Sequence, residues 1–120
     1  MVAQRLWLKG IQMRAASKLE LNNMGAMLEH AKEAANLLKK MGNEKRLLIL
    51  CSLINGEQSV GQLNDMMPLS QSALSQHLAS LRAAGLVGTR REAQTIYYSL
   101  RGSEAIKVLK VLQSIYCPNL

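Results

Sequence analysis

Between Ser70 and Gly85 the chain reads SQSALSQHLASLRAAG, and its polar residues suit one kind of chemistry. Glutamine carries an amide that donates and accepts, serine a hydroxyl that does both, and neither is charged. At about 100° per residue, Leu74, Leu78 and Leu81 fall on one narrow arc of a helix. Ser72, Ser75, Gln76, Ala79 and Ala83 fall on the opposite arc. A face that only has to stay in water usually carries Glu and Lys. One built from small and amide side chains suits close approach to hydrogen-bonding edges instead. The B-DNA major groove admits a helix, glutamine addresses adenine there, and serine pairs with several base edges. Gln71 and Ser72 stand in the first turn, where a recognition helix meets bases and phosphates. Arg82, Arg90, Arg91 and Gln94 suit phosphate or minor-groove contact, which gives affinity but little sequence information. His77, at the edge of the leucine arc, reads as a packing histidine rather than a base reader.

The other reactive side chains are two thiols. Cys51 sits among leucines, where cysteine often serves as a small buried hydrophobe. Cys117, beside Pro118, is harder to account for by packing, and the residues alone leave a functional pair open. A tetrahedral zinc site needs four convergent Cys, His or carboxylate ligands. His30 and His77 are isolated, and Glu104 is the only carboxylate of the last helix, which has no histidine. Neither a metal nor another cofactor is expected. There is no Cys-x-x-Cys, no Ser/His/Asp set and no paired carboxylates, so the chain is not expected to be an enzyme.

A length of 120 residues is enough for one domain with a modest core, and the net charge of +7 favours an anionic partner, nucleic acid or a membrane surface. Residues 68–101 concentrate that charge, with Arg82, Arg90, Arg91 and Arg101 set against Glu92 alone. A second basic stretch, with Arg5, Lys9, Arg14 and Lys18 against Glu20, lies in residues 1–23. That stretch reads as a poorly ordered basic arm or extension, the alternatives being an extra amphipathic turn or a later start at Met13, Met24 or Met27. No apolar run approaches the roughly 20 residues of a membrane span, and the leader lacks a signal-peptide core. The expected location is the cytoplasm, where thiols are reduced.

These side chains need a scaffold. From Met24 to Met41, Met27, Leu28, Ala31, Ala34, Ala35, Leu38 and Met41 recur at helical steps. Gly42 breaks that helix, and Asn43 caps a second one through EKRLLILCSLI, closed by Asn55-Gly56. Ser59 caps a short third helix ended by Pro68, and Ser70 caps the fourth, which Gly85 stops. LVGTRR and TIYYSL then read as strands joined at Glu92-Ala93-Gln94, with Ile96, Tyr98 and Leu100 on one face. Ser103 is expected to cap a last helix with Ile106, Leu109, Leu112 (or Val108 and Val111) and Ile115 on its apolar stripe. The order is four helices, a hairpin and a fifth helix: a mainly α winged helix-turn-helix with a β-hairpin wing, spanning residues 24–120. The apolar stripes of the first and last helices exceed what one small core needs, which points to a homodimer.

The segments NEKRLLIL, SVGQL, LSQSALSQHLASLRAAGLV and REAQTIYYSL resemble the ArsR/SmtB family of bacterial winged-helix repressors over about residues 27–117. Within it they look most like the HlyU/BigR/SqrR branch, which senses reactive sulfur species. The resemblance implies a homodimer built from the first and last helices. Its two fourth helices would enter successive major grooves, about one DNA turn apart, on near-palindromic operator DNA. It further implies that Cys51 and Cys117 lie close within one protomer. A persulfide or oxidant then modifies one, and the other attacks to give a disulfide or polysulfide bridge. The bridge biases the dimer toward a spacing that no longer fits the operator. Metal-sensing members carry cysteines on the third helix or a His/Asp/Glu cluster on the last, and neither occurs here. The expected function is therefore a repressor released from double-stranded operator DNA when Cys51 and Cys117 are modified. The alternatives are a peroxide or nitrosative-stress sensor and an activator that displaces a nucleoid protein. A metal sensor and a non-specific architectural DNA binder complete them.

Overall fold

The computed structural model describes residues 18–117. Contacts divide the chain after Ala35. The first unit is described only through helix α1 (Lys18–Met41), which begins earlier than the periodicity from Met24 indicates. Of the arm expected over 1–23, residues 1–17 lie outside the described residues and 18–23 are helical. The apolar side chains Leu21, Met24, Met27 and Leu28 are all exposed.

The second unit, from Asn36 onward, holds the last turn of α1 and every other described element. Asn43 has an extended backbone, and its side-chain oxygen accepts from the amides of Lys45 (2.9 Å) and Arg46 (3.2 Å). That satisfies two amides without an intrahelical partner and starts α2 (Glu44–Ser52), which closes before the expected Ile54. Ser59 and Gln62 form a reciprocal capping box for α3 (Val60–Met66). The Ser70 hydroxyl accepts from the Ala73 amide and starts α4 (Gln71–Ala83). Gly85, at φ +77°, donates to the Arg82 carbonyl, and Leu86 donates to that of Leu81, both at 3.0 Å. This left-handed stop turns the chain directly into the wing.

The wing differs from the expected hairpin in two ways. Strands β2 (Val87–Glu92) and β3 (Thr95–Leu100) pair from Val87↔Leu100 to Glu92↔Thr95, leaving a two-residue turn at Ala93-Gln94. Ala93 takes φ 55°, a region that favours glycine. A further strand, β1 (Gln58–Ser59), pairs with β3 and gives a three-stranded antiparallel sheet of order β1-β3-β2. Two residues are too few to show a strand period, so only the pairing reveals it. Gly88 lies against the Arg101 guanidinium, which a Cβ there would strike.

Helix α5 (Ser103–Tyr116) is not capped by Ser103. Gly102, at φ +87°, holds the cap position without a side-chain bond, because the turn out of β3 needs a left-handed residue there. The core joins Ile49 and Leu50 of α2, Leu63 of α3, Leu74, Leu78 and Leu81 of α4, and Ala105 and Leu109 of α5. Burying each leucine stabilises by about 1.5–3 kcal/mol, which holds α4 by its leucine arc. Val111, Ile115 and Tyr116 of α5 remain exposed. Among the described residues no helix is long and apolar enough to cross a membrane.

Candidate nucleic-acid interface and thiol cleft

With its leucines buried, α4 turns Gln71, Ser72, Ser75, Gln76, Ala79 and Ala83 outward, all exposed. The Ser72 hydroxyl lies 3.3 Å from that of Ser70, inside the cap that starts the helix. His77 is half-buried, as its place at the edge of the leucine arc indicated. Arg82 is exposed in the last turn, and Arg91 and Gln94 are exposed on the wing. Gln94 also lines a shallow groove of about 370 Å³ with Ser59, Val60, Gly61, Thr95 and Ile96.

Arg90 is held differently from its neighbours. Its Nη2 and Nε donate to the two carboxylate oxygens of Glu57 at 2.6 and 3.2 Å, and its Nη1 donates to Glu92 at 2.8 Å. The guanidinium also stacks 4.6 Å from the centre of the Tyr97 ring. The hydrogen bond from Arg90 holds the Glu57 carboxyl below its usual range, and the two carboxylates hold Arg90 firmly protonated. Arg90 therefore fastens the wing to the segment after α2, with its charge already matched. Glu57 escapes sequence reasoning because it stands 33 positions from its partner.

That arrangement has a measurable consequence. Glu57→Gln removes a carboxylate from the wing and leaves Arg90 with more charge for phosphate. Duplex binding is expected to tighten by a few-fold, with a salt dependence steeper by about one phosphate contact. Fluorescence anisotropy over a salt series reads both. Weaker binding instead would show that the pair orients the wing and that the charge of Arg90 is not used.

Cys51 on α2 and Cys117 just past α5 line one cleft of about 340 Å³ with Leu47, Ile54, Asn55, Leu112, Gln113 and Tyr116. Both are free thiols at the exposed margin. Desolvation by the apolar walls, and then the proximity of Cys117, push the Cys51 thiol above its ordinary range. At neutral pH Cys51 is thus a protonated thiol whose nucleophilic fraction grows as pH rises. The sequence marked the two cysteines but not the cleft walls, whose spacing is ordinary for core residues. Among the described residues no three His, Cys, Asp or Glu side chains converge as a metal site would require.

Known proteins carry the same architecture. A profile described as "Bacterial regulatory protein, arsR family" matches residues 43–89, from the α2 cap into β2. The transcriptional activator HlyU of Vibrio cholerae is 50% identical over 95 residues, spanning 79% of this chain and 88% of that protein. The biofilm growth-associated repressor of Agrobacterium fabrum is 44% identical over 92 residues, spanning 77% and 79%. The crystal structure of the regulator HlyU from Vibrio vulnificus superposes with a TM-score of 0.78 at 55% identity, covering 79% of this chain and 99% of that one. A winged helix-turn-helix with an outward α4, and this degree of identity across 79–99% of the length of these relatives, make the chain a member of the ArsR family of bacterial transcriptional regulators, in its HlyU/BigR branch.

Proposed function

We propose that the chain is a dimeric repressor, acting in the cytoplasm, that leaves its operator when Cys51 and Cys117 are bridged by reactive sulfur species. The observation that carries this reading is the single cleft lined by both thiols. Gln71, Ser72, Ser75 and Gln76 read base edges, Arg82, Arg91 and Gln94 contact the backbone, and Arg90 adds to them only the charge that Glu57 and Glu92 leave free. The exposed apolar residues of α1 and of α5 support dimerisation through those helices, since soluble proteins seldom leave such faces bare.

The chemistry balances without a cofactor. A Cys thiolate attacks the outer sulfur of a hydropersulfide RSSH, forming a cysteine persulfide and releasing RSH. The second thiol attacks the inner sulfur, expels sulfide and closes the disulfide. Two thiols and RSSH thus give a disulfide, RSH and hydrogen sulfide; a hydroperoxide ROOH would give the disulfide, ROH and water. The bridge ties the end of α5 to α2. Because α2 leads through Asn55 to Glu57 and its grip on Arg90, strain at the cleft is transmitted to the wing as well as to α5. Two arrangements with different DNA affinity then follow.

The test measures binding to a duplex selected in vitro against the full chain, before and after hydropersulfide or hydroperoxide treatment, with mass spectrometry of the thiols. The wild type is expected to elute in light scattering at twice the chain mass and to lose 10–100-fold in affinity on treatment. Cys51→Ser and Cys117→Ser are each expected to stay bound. Release of both variants like the wild type overturns the dithiol reading, and control of binding by zinc or chelator replaces it with metal sensing. The Vibrio cholerae relative's name as an activator supports a second reading, net activation, and a reporter fused to the selected site gives the sign.

A further inference from the structure

A helix seated in the major groove has a phosphate strand on each side, and the groove is about 12 Å wide. On α4, Arg82 lies on one shoulder of the outward face. Ser80, at about 100° per residue, lies on the other, beside Gln76 and Ala83. Arg46 of α2 reaches that second shoulder. Its Nη2 donates to the Ser80 hydroxyl at 3.1 Å and its Nη1 to the Lys40 carbonyl at 3.2 Å, while its Nε is shielded and unpartnered. Asn36, Lys39, Lys40 and Arg46 line an open cleft of about 320 Å³ between the end of α1 and the start of α2. Lys39 and Lys40 are exposed, and among the described residues no carboxylate pairs with either lysine or with Arg46.

We propose that Lys39, Lys40 and Arg46 form a phosphate-backbone site for duplex DNA, on the shoulder of α4 opposite Arg82. The site rests on the reading that α4 enters the major groove. Arg46 is its fixed point, because its two hydrogen bonds join the α1–α2 corner to the recognition helix. Lys39 and Lys40 are mobile point charges over the same strand, with long stems that reach phosphate from a range of angles. Contacts of this kind set register and affinity and leave the choice of bases to α4. Both lysines also complement the negative end of α1, a role that leaves DNA binding untouched.

The full chain and its Lys39→Gln/Lys40→Gln variant are titrated with the in-vitro-selected duplex and with a scrambled duplex across a salt series. The variant is expected to bind both duplexes about ten-fold more weakly at 0.1 M salt. The magnitude of its log K against log salt slope is expected to fall by about two, with the ratio between the duplexes unchanged. Both side chains are exposed, so the variant loses only the small charge complement at the end of α1 and is expected to stay folded at the temperature of the titration, with a slightly lower unfolding temperature. A wild-type slope in the variant overturns the site while leaving the groove reading intact, and so does a loss confined to the selected duplex. A wild-type chain that binds neither duplex overturns both.

Discussion

Ala79→Glu is expected to cost about 100-fold or more in affinity for the selected duplex, about 3 kcal/mol, while the protein stays folded. Ala79 is exposed in the middle of the outward face of α4, between Ser75 and Ala83. If that face lies in the major groove, a glutamate there meets base-edge acceptors and a phosphate field of its own sign, and like charges brought together cost several kcal/mol. The fold has no reason to object. Glutamate is a good helix former, and from position 79 it faces Arg82 three residues on, a favourable helical spacing. Thermal unfolding at the wild-type temperature together with lost binding is the expected pair of results. Wild-type affinity in the variant would move the reading surface off α4 altogether. A loss equal on selected and scrambled duplexes would leave α4 near DNA and remove its role in choosing bases.

What was legible in the chain and what was not divides by the range of the interaction. Asn43, Ser59 and Ser70 were readable as caps because a side chain and the amides it satisfies lie within three residues of each other. The arc of Leu74, Leu78 and Leu81 was readable because one buried face of a helix repeats in the sequence. Ser103 failed by the same local logic: the conformation of the turn before α5 put Gly102 in the cap position instead. The pairing of β1 with β3 joins segments that no local period connects. The reach of Arg46 to Ser80 spans 34 positions, and nothing in the sequence ties one to the other. The cysteines fall between these cases. Their residue type was informative, but in the sequence only the resemblance to a family brought Cys51 near Cys117; the structure has both lining one cleft.

The apolar stripe of α1 carries a related lesson. Periodicity identified the helix from Met24 onward, and only the surplus of its stripe over one small core pointed to a second copy as what its face would cover. Met41 is buried in the core of the second unit, whereas Met27, Leu28 and Leu38 are exposed. A stripe is evidence for a helix; its use depends on the partner.

Leu78→Ala, one position before Ala79, is expected to do the reverse of Ala79→Glu. Leu78 is 1% exposed and lies with Leu74, Leu81 and Leu109 in the core that holds α4. Truncating such a leucine removes its transfer free energy and leaves a cavity, at about 2–5 kcal/mol. That is a large share of the roughly 5–15 kcal/mol that stabilises a domain of this size. Urea unfolding is expected to show a lower midpoint with an unchanged slope, the sign of lost stability rather than a changed unfolded state. The outward face proposed to read DNA is untouched, so the folded fraction should bind as the wild type does. Duplex at about 100 times its Kd should then restore about 2.7 kcal/mol of stability by mass action. No such rescue is available to Ala79→Glu, whose fold needs none. A cost below about 1 kcal/mol at Leu78 would mean that the leucine arc does not anchor α4, and the assignment of its opposite face to DNA would lose its structural basis.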